Sequence, residues 1–535
     1  MKNLYRVFAL SFVFILIVGC GGGSGSGGGG ITQAVLSVAD CSGSNCGVDS
    51  NSYTGSGVGV WRYTNTGSGA ASLDISLSNV GGKDIMVVFT NEKSSSVFFP
   101  TGTMSGKFIA TEITQKIEPS TSTFNDIPDH IRYFDKKEML RQVANSSRHF
   151  AIKPSAQKNW LLNAQANWYV DEGTRTRKAT LKKQTKSAGR TINVWVENAE
   201  FDDAKVTQTM LDSISSRFTN DIYSKVVSIA GEPWGEHNYS NLIGKDQPIN
   251  IVFTDLPAGV VGYFWAFNNF LVGCNYGDCS NEALVFFADS KTLYLAQDGV
   301  NIMLGTLAHE LTHMINFYQR DTKMSEDDVY DIFLEEMTAI MMEDVISSQI
   351  APDFNDIRDG NYHNWLSGAH YNCDFTDWEN CGTQLVNSYH VAGSFGAYLL
   401  RQHGIGFYQN LLKYPMPRPL SINDRSNSIT LLNNILKTLN GEGLGRAVQR
   451  WGASIALFPA TSSPSGFGYP EKIDGSFSLG AFDGNNFQFI RKLPTLQPST
   501  LKGYSHYPVK RNITTNQYEE TVAVPSGVSV TVIVK

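Results

Sequence analysis

Two histidines stand four residues apart in the stretch Leu307-Ala308-His309-Glu310-Leu311-Thr312-His313-Met314-Ile315-Asn316-Phe317. In a helix, positions i and i+4 project from one face, so His309 and His313 can reach a single metal ion. Glu310 stands beside them, close enough to hold and deprotonate a water on that ion. His-Glu-x-x-His is therefore a pattern for zinc-assisted hydrolysis. The competing reading is an ordinary helix with two satisfied histidines. What separates the two is whether the chain supplies the other parts of a zinc centre.

A catalytic zinc takes three protein ligands and keeps one position open. The pattern does not continue to a further Gly and His, because Asn316 and Gln319 occupy those places. The run Phe333-Leu334-Glu335-Glu336-Met337-Thr338-Ala339-Ile340-Met341-Met342-Glu343-Asp344 reads as a helix that sets carboxylates among apolar residues. Apolar neighbours at that density imply burial, and a buried carboxylate needs a partner such as a cation. Glu335 and Glu336 are adjacent, about 100° apart on a helix, and either could serve.

These residues resemble a known family, the hyicolysin-type zinc metallopeptidases. The resemblance rests on His309–Phe317, on the Leu-Glu-Glu-Met-Thr-Ala stretch with Glu343 seven residues on, on Ser280-Asn281-Glu282-Ala283 before an apolar strand, and on Phe218 to Trp234. It covers residues 170–460. The resemblance implies a zincin-like α+β domain, one Zn2+ ion, and protein or peptide substrates. It places the third ligand in a Leu-Asn-Glu-Gly-like stretch, where Glu336 matches the Glu. Glu335 stands where Asn is usual and Met337 where Gly is usual, so Glu335 stays as the alternative ligand. Glu343 shares the Glu336 face and is expected to orient a ligand histidine. A later helix, Asn387 to Leu399, resembles the family's Tyr-containing helix. A donor beside the zinc is needed for the tetrahedral oxyanion, with Tyr389 the first candidate and His390 the second.

The elements that must position these groups are legible in outline. Ala179–Lys186 and Thr191–Val196 flank Ser187-Ala188-Gly189-Arg190 as a hairpin. Asp202 to Arg217 reads as one helix, and a second, capped by Thr219, runs to Ala230 before Gly231 and Pro233. Ile249–Phe253 and Glu282–Ala288 read as strands. By analogy with zincins, the latter strand, with Glu282, Ala283, Leu284 and Val285, is expected to be the edge that pairs with an extended substrate. A helix near Leu431–Trp451 closes the region.

Beyond the catalytic region the chain divides by composition. Lys2 and Arg6 precede a short apolar run from Val7 to Val18, and Ile17-Val18-Gly19-Cys20 looks like a bacterial lipobox. By that resemblance residues 1–19 are a signal peptide and Cys20 carries the lipid that anchors the chain in the cell envelope, the outer surface being favoured. Residues 21–30 are Gly and Ser alone, a flexible tether of about 17 Å. Residues 31–122 read as a small β-sandwich-like domain, 123–168 as a connecting segment with one helix near His130–Ser147, 169–458 as the peptidase domain, and 459–535 as a final β module. The other six cysteines form close pairs, Cys41 with Cys46, Cys274 with Cys279 and Cys373 with Cys381, read as three disulfide-closed loops of an exported chain. A net charge of −7 argues against a nucleic-acid partner. The basic cluster Arg177, Lys178, Lys182, Lys183 and Lys186 lies on the hairpin as a solvated face. The expected function is zinc endopeptidase. An exopeptidase is disfavoured because no Gly-x-Met-Glu-Asn-like element occurs. A surface binding lipoprotein on an inactive zincin fold is the reading from another class.

Overall fold

The computed structural model describes residues 32–36, 38–99, 159–171, 173–271, 274–275, 278–381, 386–421, 423–457, 463–483 and 486–535. The export segment, Cys20, the tether and the helix expected near His130–Ser147 lie outside them.

Six strands build the sheet of the catalytic region: β1 (Gln165–Val170), β2 (Arg175–Ser187), β3 (Arg190–Glu197), β4 (Ile249–Thr254), β5 (Gly262–Phe264) and β6 (Leu284–Asp289). Their order across the sheet is β5-β6-β4-β3-β2-β1. The β3/β4 and β4/β6 pairs are parallel and the others antiparallel. Ala188 and Gly189, both at positive φ, make the two-residue turn of the β2–β3 hairpin. Its basic side chains are drawn onto local partners, Lys183 to Asp212 at 2.9 Å and Arg177 to Glu197 at 3.6 Å. The first strand begins at Gln165, so the expected boundary at residue 169 falls inside it.

The sheet corrects one expectation. β6 pairs on one side with β4 and on the other with β5, so it is an interior strand and not the substrate edge. Glu282 has φ 48° and sits with Ala283 in the turn before the strand; Leu284 and Val285 are inside it. The physical sign was present: Leu284-Val285-Phe286-Phe287-Ala288 is apolar without alternation and buried on both faces, as an inner parallel strand must be. The edge is the short β5.

The helices that matter for the site are α1 (Gln208–Arg217), α2 (Ser224–Ala230), α3 (Gly299–Asn316), α4 (Ile332–Ile350), α5 (Val386–His403), α6 (Asp424–Asn440) and α7 (Leu444–Ala453). Thr207 caps α1, its side chain accepting from the Met210 N–H, while Thr219, expected to cap the second helix, lies inside a continuous helical turn. The chain then runs through one π-helical turn, Phe218–Tyr223, straight into α2, which ends at Gly231 with φ 93°. The expected single helix near Leu431–Trp451 is two, broken at Gly441 in the left-handed region. Ile251 and Phe286 from the sheet, Leu304, Leu307 and Leu311 from α3, and Met337 and Met341 from α4 share one core. Each such side chain contributes about 1.5–3 kcal/mol by burial. Within it Arg401 of α5 donates two hydrogen bonds to Asp344 of α4, at 2.5 and 3.1 Å, with both side chains fully buried.

The expected N-terminal sandwich and C-terminal module are one body. Val528–Val534 lies between Gly59–Thr64 and Asp84–Asn91, pairing with both. His506–Asn512 extends the same sheet beside Asp84–Asn91, and Gln517–Val524 pairs with Ala71–Ser78 in the facing sheet. Trp61, Leu73, Phe89, Val522, Val530 and Val532 meet between the two sheets. The catalytic region is thus inserted into a sandwich whose halves come from opposite ends of the described chain. The sandwich docks on α7 through Val60, Val88 and Ile533 against Ala453, with Asp40 paired to Arg446 and Gln449 donating to Thr531.

Disulfides join Cys41 to Cys46 and Cys373 to Cys381. Cys279 is also disulfide-bonded, and the backbone of Cys274 pairs opposite it. The side chain of Cys274 lies outside the described residues. Among those residues no helix is long and apolar enough to cross a membrane.

Candidate metal centre and its cavity

α3 and α4 pack face to face, and the site is built where they meet. His309 and His313 lie one turn apart on α3, ring centroids 4.7 Å from each other. Opposite them Asp331 caps α4 by accepting from the Phe333 N–H, which sets Glu335 in the first turn and Glu336 one residue beyond it. The positive end of the helix dipole favours carboxylates there. Glu336 turns toward both histidines, Oε2 3.3 Å from His309 Nε2 and Oε1 3.7 Å from His313 Nε2.

The other nitrogen of each ring is already engaged. His309 Nδ1 lies 2.7 Å from Glu343 Oε1, and His313 Nδ1 lies 3.0 Å from Glu335 Oε1. With Nδ1–H donating to a carboxylate, each Nε2 lone pair is left facing Glu336. Glu335 and Glu336, indistinguishable as ligands by residue type, thus part company: one backs a histidine, the other faces both. Glu343, two turns beyond Glu336, sits behind the first ring.

Do these residues fit a metal? His309, His313 and Glu336 each offer one donor atom within 4.8 Å of the others. Glu336 Oε2 is buried with no hydrogen bond of good geometry, an orphaned acceptor that a cation would satisfy. Two imidazoles and one carboxylate are the ligand types of hydrolytic zinc. The set fits. Burial pulls the His309 imidazole down, but the Glu336 and Glu343 carboxylates close beside it outweigh that and hold it well above its ordinary range. Burial raises Glu336, and the adjacent His313 and His309 overcome that and lower it. In both cases the polar partners win over desolvation, as they must in a centre that keeps charge buried.

A cavity of about 410 Å³ opens over this cluster. Glu310 lines it, 5% exposed, beneath β5: a Cβ on Gly262 would lie 3.6 Å from its Cγ. Tyr389, near the start of α5, lines the cavity too and packs its ring on Trp378 at 4.9 Å. Burial, and then the Glu336 and Glu310 carboxylates, push the Tyr389 phenol well above its ordinary range. It stays protonated and is a hydrogen-bond donor at any working pH.

His390 is elsewhere. It does not line the cavity; its Nδ1 lies 3.3 Å from Asn361 Oδ1 and its ring stacks near His370. Burial pushes its pKa down to about 4, so it is neutral, and its partner Asn361, not His390 itself, lines the cavity. One residue on, the α5 register turns the side chain by about 100° from Tyr389, which is the physical reason the second candidate fails. Sequence reasoning missed Gly259 to Phe264 as a wall of the cavity. The two glycines flanking an aliphatic pair were the available signal.

A family model described as Peptidase M30 matches residues 172–535. A second, described as a domain of unknown function (DUF8571), matches residues 39–104. The neutral metalloprotease ShpI of Staphylococcus hyicus is 27% identical over 240 residues, 42% of this chain and 49% of that protein. The chain therefore spans about half the length of the curated relative it matches. Among solved structures, an aminopeptidase N family protein from Idiomarina loihiensis aligns with TM-score 0.30 and 12% identity, over 48% of this chain and 44% of that one. An M1 zinc metallopeptidase from Deinococcus radiodurans aligns with TM-score 0.28 and 11% identity, over 54% of each chain.

Proposed function

The chain belongs to the Peptidase M30 family, the hyicolysin-type zinc metallopeptidases, and on that premise we propose that it is a zinc-dependent endopeptidase of the bacterial envelope. The observation that carries the reading is the convergence of His309 Nε2, His313 Nε2 and the orphaned Glu336 oxygen. These three residues would hold one zinc ion, and Glu343 and Glu335 would keep the two imidazoles in the right tautomer. Zinc bound there supplies a Lewis acid that polarises the scissile carbonyl and lowers the pKa of water.

The chain's own groups do the rest. Glu310 takes the proton of the attacking water and returns it to the leaving amine. The Tyr389 phenol donates to the oxygen on which negative charge develops, a contribution of about 2.7–4 kcal/mol when made in a dry site. β5, as the sheet edge above Glu310, offers main-chain groups to an extended peptide and leaves it free to continue in both directions, the behaviour of an endopeptidase. Two disulfides fit an oxidising compartment, and the lipobox at Cys20 would tether the enzyme there.

The test is Glu310→Gln in the full-length protein. It should keep one zinc per chain and lose casein hydrolysis by at least about a hundredfold, the usual worth of a general base. His313→Ala should lose both zinc and activity. Undiminished hydrolysis by purified Glu310→Gln sinks the assignment. Bound zinc with no phenanthroline-sensitive cleavage in the unsubstituted protein would favour the binding-lipoprotein reading instead.

A further inference from the structure

One part of the cavity lining, with Ile302, Ile340, Glu343, Phe354 and Asp356, is left over by the catalytic chemistry, and we propose that this part, called the arm below, receives a cationic Lys or Arg side chain of the peptide substrate, held by Asp356 and Glu343. The proposal rests on the peptidase reading above and names its substrate class.

The arm has apolar walls and an acidic end. Ile302, Ile340 and Phe354 line it, surfaces suited to a methylene stem. Gly305, in the middle of α3, leaves a gap: a Cβ there would lie 3.7 Å from Glu343 Oε2. Glu343 spends Oε1 on His309, so Oε2 is the oxygen left on the cavity side. Asp356 lines the same arm and has no hydrogen-bond or ion-pair partner among the described residues. Asp356 stays exposed to solvent where it lines the cavity; desolvation, then the Glu343 and Asp359 carboxylates, raise its pKa to about 6, which marks the acidic surroundings on that side.

A neutral side chain placed there would cover the part of Glu343 still open to water and return nothing for it. An ammonium or guanidinium on an apolar stem satisfies the walls and the end together. The route in is also present. A Cβ on Gly262 would come within 2.6 Å of Thr306 Cγ2, so β5 runs directly over Thr306, which lines the arm. A substrate strand paired with β5 passes that point, and alternate side chains of a strand turn to one face.

The experiment digests peptides, each made with a free and with an N-acetylated amino terminus and identical except for Lys, Arg or Leu at each position flanking one cleavable bond, with the zinc-loaded full-length protein. One flanking position should show kcat/KM at least tenfold higher for Lys or Arg than for Leu. In Asp356→Asn that ratio should fall about tenfold, the worth of one charge-assisted hydrogen bond, and in Asp356→Lys it should invert. Cleavage with no basic preference, or a preference unmoved by both substitutions, overturns this proposal and leaves the peptidase reading standing. So does cleavage that requires a free amino terminus, since the arm would then be binding an α-amine. Zinc-loaded protein that cleaves no peptide at all overturns the peptidase reading and this one with it. If neither variant folds, the Lys-to-Leu ratio of the unsubstituted protein decides.

Discussion

Glu335 and Glu336 show how much a single helical step decides. Both are glutamates near the start of α4, yet one accepts from His313 Nδ1 and the other faces both Nε2 atoms. A carboxylate behind a ligand histidine tunes affinity, while a carboxylate that is a ligand makes it. Glu335→Gln should therefore weaken zinc affinity by about 10–100-fold and retain a measurable site. Glu336→Gln should abolish stoichiometric binding. Competition with a chromogenic chelator reads both, and equal losses would contradict the division of roles. The pair His309 and His313 and the burial of a nearby carboxylate were legible from residue type and spacing, because α-helical periodicity is local. The choice between the two glutamates was not local: it depends on the angle at which α4 crosses α3, which no stretch of either helix encodes alone.

At the scale of elements, the Asp344–Arg401 pair fixes α4 to α5, and so fixes the carrier of Glu335, Glu336 and Glu343 to the carrier of Tyr389. Arg401 also lies over the Phe482 ring at 3.8 Å and donates to Gly480 O, tying both helices to the segment that follows α7. Arg401→Met should cost about 3–5 kcal/mol, since it leaves Asp344 buried without its cation. The double variant Asp344→Leu, Arg401→Met should recover much of that loss in urea unfolding while its zinc affinity need not return, which separates packing from positioning. The same scale explains the strand that was misplaced. β6 has the sequence of an inner strand and is one, whereas β5 is three residues long and carries too little pattern to announce itself. A sheet edge is defined by which neighbour is missing, and that is a property of topology.

For the whole molecule the governing fact is that the sandwich is completed by strands from both ends of the described chain. Composition marks residues 31–122 and 459–535 as two β-rich modules, whereas the described strands of both pair within one sandwich. Hydrogen bonds between Val87 and Val532 leave no trace in either neighbourhood. A site-specific protease sequence placed between residues 99 and 159 gives a direct check. After cutting, the two fragments should co-elute under native conditions and separate only in denaturant, because pairings of Val528–Val534 with two N-terminal strands hold them. Separate elution without denaturant would show that the sandwich is not a common core. Among the described residues before the peptidase region, Gly59–Thr64 and Asp84–Asn91 thus share a sheet with Val528–Val534.

The position of Val528–Val534 also sets a clock. Gly59–Thr64 and Asp84–Asn91 leave the ribosome early but must wait for the strand that fills the gap between them. At roughly 5–20 residues per second that wait is on the order of half a minute. During it the sandwich has an open slot, and α7, whose Ala453 packs beneath Ile533, has not yet received its cover. Folding of the sandwich therefore waits on Val528–Val534, and that late strand acts as the catch that closes the two sheets.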